Sequence, residues 1–170
     1  MRKSLFATAA VASALAAAVI APGVSNAADT VVTFTVAGGA LTITAPATQA
    51  LTVTGNQATG GITPVVVSDQ RRGINGWVAS AVSTAFTKAA PNPASIPATA
   101  VAYQGTIATI TGIAVVTPAL APVIDTTKAV QTATAVIGAN TATWTGNVTV
   151  TLPTNVVAGD YSGTITHSVA

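Results

Sequence analysis

The sequence from Val65 to Val82 reads VVVSDQRRGINGWVASAV and combines two strand signals with a turn signal. Val65–Val67 is a β-branched run, Asp69–Gly76 contains turn-forming residues, and Trp77 begins a second apolar segment. Both apolar segments are poor in charge. The pattern therefore predicts a β-hairpin that is buried on both of its faces.

Short segments in which apolar residues alternate with threonine lie on both sides of this stretch. Alternation with a period of two places successive side chains on opposite faces of a strand. It predicts a half-buried strand at Val31–Val36, with Val32, Phe34 and Val36 on one face, and gives its strongest signal over Thr141–Leu152. Further strands are predicted at 41–44, 51–54, 100–103, 105–116 and 161–169.

Two segments are less regular. Three prolines within Lys88–Pro97 predict a surface loop, because proline cannot donate to a strand ladder. The alanine content of Lys128–Ile137 would tolerate a helix, but its alternating β-branched residues favour a strand. Many short strands separated by turn signals predict an all-β fold, specifically an immunoglobulin-like Greek-key β-sandwich. Tyr161, which follows Gly159-Asp160, resembles the corner tyrosine of such sandwiches, whose hydroxyl bonds back to the chain.

The first 27 residues have the organisation of a secretory signal peptide. Arg2 and Lys3 precede an apolar run over Leu5–Ile20, and small residues lead up to Ala27. The run is shorter than the roughly 20 apolar residues that span a membrane. We therefore expect export, removal of residues 1–27, a single β-sandwich domain over residues 28–170, and no membrane span after cleavage.

The charge of the remaining chain limits its partners. After residue 27, four basic residues balance four aspartates, so no net positive charge attracts nucleic acid or anionic lipid. Neutrality also removes the repulsion that disperses soluble proteins, which suggests a chain bound to a larger structure or packed against copies of itself. The absence of cysteine excludes thiol chemistry, cysteine–metal sites and disulfides.

Residues that could support catalysis or metal binding are few. His167 is the one histidine, glutamate is absent, and the aspartates are scattered along the chain. A lone histidine on the apolar face of a strand is more often structural than catalytic, and a calcium site needs clustered oxygen ligands. We therefore predict a non-enzymatic protein without metal or cofactor, in which Trp144 packs in the core.

The candidate binding residues are Asp69, Arg71, Arg72 and Trp77. An arginine fork suits the hydroxyls and phosphates of wall polymers, and an indole ring can stack on a sugar. The alternative is a purely structural turn, in which Asp69 accepts backbone N–H groups and pairs with a nearby arginine.

Several short motifs resemble those of WxL-type surface domains. They are Gly39-Ala40-Leu41-Thr42-Ile43, Val67-Ser68-Asp69 with Arg72-Gly73 and Gly76-Trp77, Thr143-Trp144-Thr145-Gly146, and Gly159 to Thr166. The first Trp-x-Leu motif corresponds to Trp77-Val78-Ala79, and the second to His167-Ser168-Val169, which lacks both defining residues. The resemblance implies a β-sandwich secreted by a Gram-positive bacterium and held non-covalently on peptidoglycan.

The expected function is therefore that of a secreted, cell-surface-associated protein that binds the cell wall or another wall polymer. The resemblance and the retained tryptophan favour Asp69–Trp77 as the recognition segment. The alternative is a structural or adhesive subunit that associates with other surface proteins or with itself through uncharged sheet edges.

Overall fold

The computed structural model describes residues 30–120 and 122–170. Val36–Ala170 form one compact unit, and the preceding unit, Met1–Thr35, is described only from residue 30 onward. The predicted signal peptide, residues 1–27, lies outside the described residues. Within the described ranges, no helix is long and apolar enough to cross a membrane.

The fold is all-β, which confirms the predicted class. Within the described residues, one short 3-10 turn, Ala98–Ala100, accompanies ten strands. In chain order the strands are β1 (Leu41–Thr44), β2 (Thr52–Thr54), β3 (Gln57–Asp69), β4 (Trp77–Ser83), β5 (Phe86–Lys88), β6 (Ala94–Ile96), β7 (Val101–Gly105), β8 (Thr109–Pro118), β9 (Lys128–Thr151) and β10 (Ile165–Val169).

The main sheet is organised around β9. This one strand covers Lys128–Ile137 and continues through the second predicted segment as far as Thr151. Its first half pairs with β4 and its second half with β3, while β7 and β8 pair along its other side. The strand order is β1-β3-β9-β4-β10, and the outer strands β1 and β10 approach each other to leave the sheet nearly closed. Ala135 and Gly138 have positive φ angles of 49° and 72°, so β9 departs from regular strand geometry between its two halves.

The predicted hairpin between β3 and β4 is wrong. The two strands do not pair with each other, because both pair antiparallel with the same edge of β9, β4 along its first half and β3 along its second half. The chain therefore keeps its direction from β3 to β4, and the loop between them runs along this edge of β9, where the Gly138 N–H donates to the Gly73 carbonyl at 2.9 Å. A loop that joins two strands along one edge and a loop that closes a hairpin use the same turn-forming residues, so local sequence does not distinguish them. Burial on both faces is also wrong, because Trp77 is buried while Val78 is 38% exposed.

The predicted strand at Val31–Val36 is also not formed. Residues 30–40 contain no helix or strand, and Val32, Phe34 and Val36 are 81%, 87% and 60% exposed. An alternating pattern forms a strand only where a neighbour satisfies its backbone groups. No other described strand supplies such a ladder to this segment.

The predicted loop at Lys88–Pro97 contains part of a small hairpin. β5 and β6 pair antiparallel, and Ile96 is 2% exposed. Prolines Pro91 and Pro93 lie in the turn between these strands, where no ladder donor is required.

The core lies on the inner face of the sheet. The apolar residues of β9 that the alternation predicted to share one face are buried, as Ala142, Trp144, Val148 and Val150 show. They pack with residues from the neighbouring strands, including Val65, Val67, Trp77, Val101 and Tyr103.

Candidate functional site

The loop 70–76 is closed by an ion pair between its first arginine and the last residue of β3. Arg71 Nε donates to Asp69 Oδ1 and Arg71 Nη2 donates to Asp69 Oδ2, both at 2.9 Å. The Arg71 backbone N–H also donates to Asp69 Oδ1 at 3.0 Å. Asp69 is 1% exposed, so the guanidinium neutralises a carboxylate that has little contact with water.

The same guanidinium reaches the other end of the loop. Arg71 Nη2 donates to the carbonyl oxygens of Asn75 and Gly76 at 3.2 and 3.0 Å. One side chain therefore fixes both ends of the loop. The bidentate pairing leaves the Arg71 side chain 32% exposed, with few of its donors available to a ligand.

The electrostatics of the pair follow from this geometry. The hydrogen bonds from Arg71 lower the pKa of Asp69, although burial of the carboxyl opposes the shift. In return, the hydrogen bond to Asp69 raises the pKa of Arg71. Both groups are therefore held in their charged forms at neutral pH.

A buried polar chain continues from Asp69 to Trp77. Asn140 Nδ2 donates to Asp69 Oδ2 at 3.5 Å, and Asn140 Oδ1 accepts from Trp77 Nε1 at 3.2 Å. Asn140 and Trp77 are each 2% exposed. The chain connects β3, β9 and β4, and it places the Trp77 ring in the core, away from the surface where a sugar could stack.

Close backbone contacts also hold the loop. The Gly39 N–H donates to the Gln70 carbonyl at 2.6 Å, and the Gln70 N–H donates to the Ala40 carbonyl at 2.9 Å. A Cβ atom on Gly38 would lie 2.6 Å from the Arg71 carbonyl oxygen, so only glycine permits this approach. The residues before β1 therefore support the loop from one side.

Arg72 is the residue that the loop presents outward. Its φ angle is 58°, and it is exposed next to Gly73 and Ile74, the latter 80% exposed. The Arg72 side chain forms no hydrogen bond or ion pair with any residue in the part of the chain that the structure describes. A guanidinium on a fixed loop can approach an anionic or hydroxyl-rich polymer without first breaking an internal contact.

A second polar cluster links Trp144, in the second half of β9, to His167 in β10 through Tyr103. Trp144 Nε1 donates to the Tyr103 hydroxyl at 3.1 Å, and His167 Nε2 lies 3.2 Å from the same oxygen. The rings of Tyr103 and His167 meet edge to face, with centroids 5.5 Å apart. A Cβ on Gly146 would overlap the Tyr103 ring, so this glycine makes room for the tyrosine.

Burial controls the chemistry of this cluster. It raises the pKa of Tyr103 to about 12 and lowers the pKa of His167, because each charged form loses contact with water. Sequence reasoning predicted a structural His167 and a buried Trp144, and the packing of both side chains agrees. It missed Tyr103, whose only signal was its position two residues after Val101 on the buried face of β7.

Groups that could hold a metal are not clustered in the described part of the chain. Across residues 30–120 and 122–170, no three histidine, cysteine, aspartate or glutamate residues come together. The side chains of the two polar clusters bond to one another and connect neighbouring strands and loops.

An open groove lies beside β2, and His167 of the second polar cluster is among the residues that line it. It has a volume of about 760 Å³, and β2, the segment before it and the loop between β9 and β10 line it. Tyr161, in that loop, donates its hydroxyl to the Val157 carbonyl at 2.9 Å, as expected for a tyrosine that bonds back to the preceding chain.

The four predicted binding residues differ in their exposure and in their contacts. Asp69 and Trp77 are buried, Arg71 is engaged with Asp69, and Arg72 is exposed. The structure brings the first three together through Asn140 and leaves the fourth at the loop surface. No protein-family model, curated protein or solved structure matches the chain, and a binding role for these four residues stays a prediction.

Proposed function

We propose that the chain is a secreted, non-enzymatic cell-surface protein that associates non-covalently with the cell wall through the loop 70–76. The observation that carries the proposal is the contrast between the two neighbouring arginines. Arg71 holds the loop closed, while Arg72 lies exposed on it without an internal partner among the described residues. A fixed loop with an outward guanidinium suits recognition, because little ordering is needed on binding.

The ligand class follows from the chemistry of that side chain. A guanidinium donates hydrogen bonds in one plane and matches the oxygens of phosphates, carboxylates and hydroxyls. Peptidoglycan and anionic wall polymers offer these groups. The role proposed for Asp69, Arg71 and Trp77 is to position the loop, since their polar atoms already bond within the protein.

The motifs similar to those of WxL-type surface domains support the same proposal. Gly38 and Gly39 contact the loop, and Asp69 and Trp77 anchor its two ends. The first two motifs therefore contain residues that hold this one loop in place. We further propose an immunoglobulin-like Greek-key arrangement for the sandwich, which the Tyr161 hydrogen bond to Val157 supports.

The absence of enzyme activity is part of the proposal. The His167 imidazole packs against Tyr103, and burial favours its neutral form. Acid–base catalysis would require a second group able to exchange protons in the same pocket, and Tyr103 has its pKa raised away from neutrality.

Co-sedimentation with insoluble peptidoglycan tests the proposal. The chain without residues 1–27 is centrifuged alone and with purified peptidoglycan, with and without its attached anionic polymers. We expect the protein to pellet only in the presence of wall material. Equal amounts in the supernatant under all conditions would contradict wall binding.

A second candidate function is a subunit that assembles with copies of itself. It is favoured by the open sheet edges. β8 is an uncharged outer strand with Ile113 and Val115 more than half exposed, and β2 and β10 each form a ladder on one side among the described residues. Unprotected edges of this kind can pair with another chain.

A further inference from the structure

The groove beside β2 has an exposed apolar rim, and polar side chains, including Asp160, also line it. Val53, Val156 and Val157 line it and are 62%, 40% and 39% exposed. The deeper residues Ile62 and Val148 belong to the core, so the groove opens directly onto the inner face of the sheet. Exposed apolar surface that continues into a core is a feature of surfaces that another chain covers.

Two strands beside the groove also have backbone N–H and C=O groups on an edge that no described strand pairs with. β2 pairs with β3 alone and β10 pairs with β4 alone within the described residues. A strand that enters the groove can therefore bond to an open edge and place alternate side chains on the apolar lining.

The chain itself contains a segment with the complementary pattern. Val31–Val36 alternates apolar residues and threonine, yet it forms no strand, and Val32, Phe34 and Val36 are exposed. A strand of this length extends about 20 Å and presents three side chains to one face. No charged residue occurs from Thr30 to Ser68, which includes both the segment and β2. Insertion therefore buries no charge from either of these two stretches.

We infer that Val31–Val36 of one copy adds as a strand to the groove of a second copy. The apolar side chains at 32, 34 and 36 then cover the lining residues, and the threonines face outward. The contact joins different surfaces on the two copies, so it repeats head to tail and produces dimers and longer open chains. This inference specifies the interface for the self-assembling function, and it does not depend on wall binding.

The test uses two variants of the chain that begins at residue 28. Phe34→Asp places a charge on the inserting face, and Val53→Asp places one on the rim of the groove. Sedimentation velocity over a wide concentration range measures assembly of each. The unaltered chain should form dimers and longer species, whereas each variant should require at least about tenfold higher concentration, which corresponds to 1.4 kcal/mol.

Mixing the two variants gives the sharpest result. A Phe34→Asp copy retains its groove and a Val53→Asp copy retains its inserting segment, so the mixture should form a one-to-one dimer that does not extend. Thr33→Asp and Thr52→Asp are the matched controls. They lie one residue from the altered positions on the opposite faces, and they should assemble like the unaltered chain. Circular dichroism should show the same β-sheet content for all variants.

Three outcomes would overturn the inference. They are an unaltered chain that stays monomeric at every concentration, a Phe34→Asp variant that assembles normally, and a mixture that gives no dimer. Loss of assembly in Ile113→Lys with normal assembly in Phe34→Asp would assign the contact to the β8 edge. Peptidoglycan sedimentation measured on Phe34→Asp keeps the two functions separate, because wall binding through Arg72 should survive this change.

Discussion

Arg71 donates two hydrogen bonds of 2.9 Å to Asp69, a carboxylate that is 1% exposed, and thereby fixes the loop between two strands that do not pair. The pair differs from an ordinary surface ion pair. The carboxylate is buried, and the arginine also bonds to two carbonyl groups at the far end of the loop. The adjacent Arg72 has none of these contacts among the described residues, so the two arginines should respond differently to the same substitution.

Replacing Arg71 with alanine should lower the free energy of unfolding by about 2 kcal/mol, because it leaves a buried carboxylate without its charged donor. Arg72→Ala should change the free energy of unfolding by less than about 0.5 kcal/mol, as for other exposed positions. Urea unfolding measures both values. Equal effects of the two substitutions would show that the Asp69–Arg71 pair does not hold the fold.

The stability of the protein should fall at acidic pH through Asp69. Its pKa is lowered in the folded state below the ordinary value of 3.8 for an aspartate, so the unfolded chain binds the proton more readily. The stabilisation is complete above about pH 4 and is lost as the pH falls through the folded-state pKa. The difference in free energy of unfolding between the unaltered chain and Asp69→Asn should shrink over this range. A difference that is constant from pH 7 to pH 2 would contradict the pairing.

His167 should add a second pH dependence at higher pH. Burial lowers its pKa in the folded protein below the ordinary histidine value of 6.5, so the unfolded chain again binds more protons. Stability is therefore greatest above about pH 6.5 and decreases as the pH falls toward the folded-state pKa. His167→Gln should remove this slope. Urea unfolding of both chains between pH 5 and pH 8 checks the prediction, and identical slopes would count against it.

Gly146→Ala should destabilise the fold, because the added Cβ overlaps the Tyr103 ring, which is fully buried against Trp144. Overpacking of this kind typically costs about 1–3 kcal/mol. Gly73→Ala is the control. Its Cβ would come no closer than 3.9 Å to the Asn75 nitrogen, so the change should be nearly neutral. Thermal unfolding of both variants measures the contrast, and equal melting temperatures would place Tyr103 elsewhere.

The sequence was sufficient for features that depend on local periodicity. The alternation over Thr141–Leu152 predicted the buried positions of β9, including Trp144, because one face of a strand must pack against the core. The alternative reading of Asp69 as a turn residue paired with an arginine also agrees with the contacts. Both features involve residues that are close together in the chain.

Features that depend on distant partners could not be predicted in this way. The β3–β4 connection looked like a hairpin because its turn residues do not reveal that both strands pair with one edge of β9, more than 50 residues later. Val31–Val36 has a strand pattern but no described ladder partner. The position of Tyr103 depends on space at Gly146, which only the tertiary packing reveals. The sequence likewise does not reveal which of Arg71 and Arg72 bonds to the Asn75 and Gly76 carbonyl groups.

Retention of Arg72→Ala on isolated cell walls tests the proposed function most directly. The variant and a matched Lys128→Ala control, which also removes one exposed positive charge, are bound to the same walls and eluted with increasing salt. We predict that Arg72→Ala is released at lower salt than the unaltered chain, with the largest difference at low ionic strength, while Lys128→Ala and both melting temperatures remain unchanged. Equal retention of all three proteins would contradict wall binding through the loop 70–76.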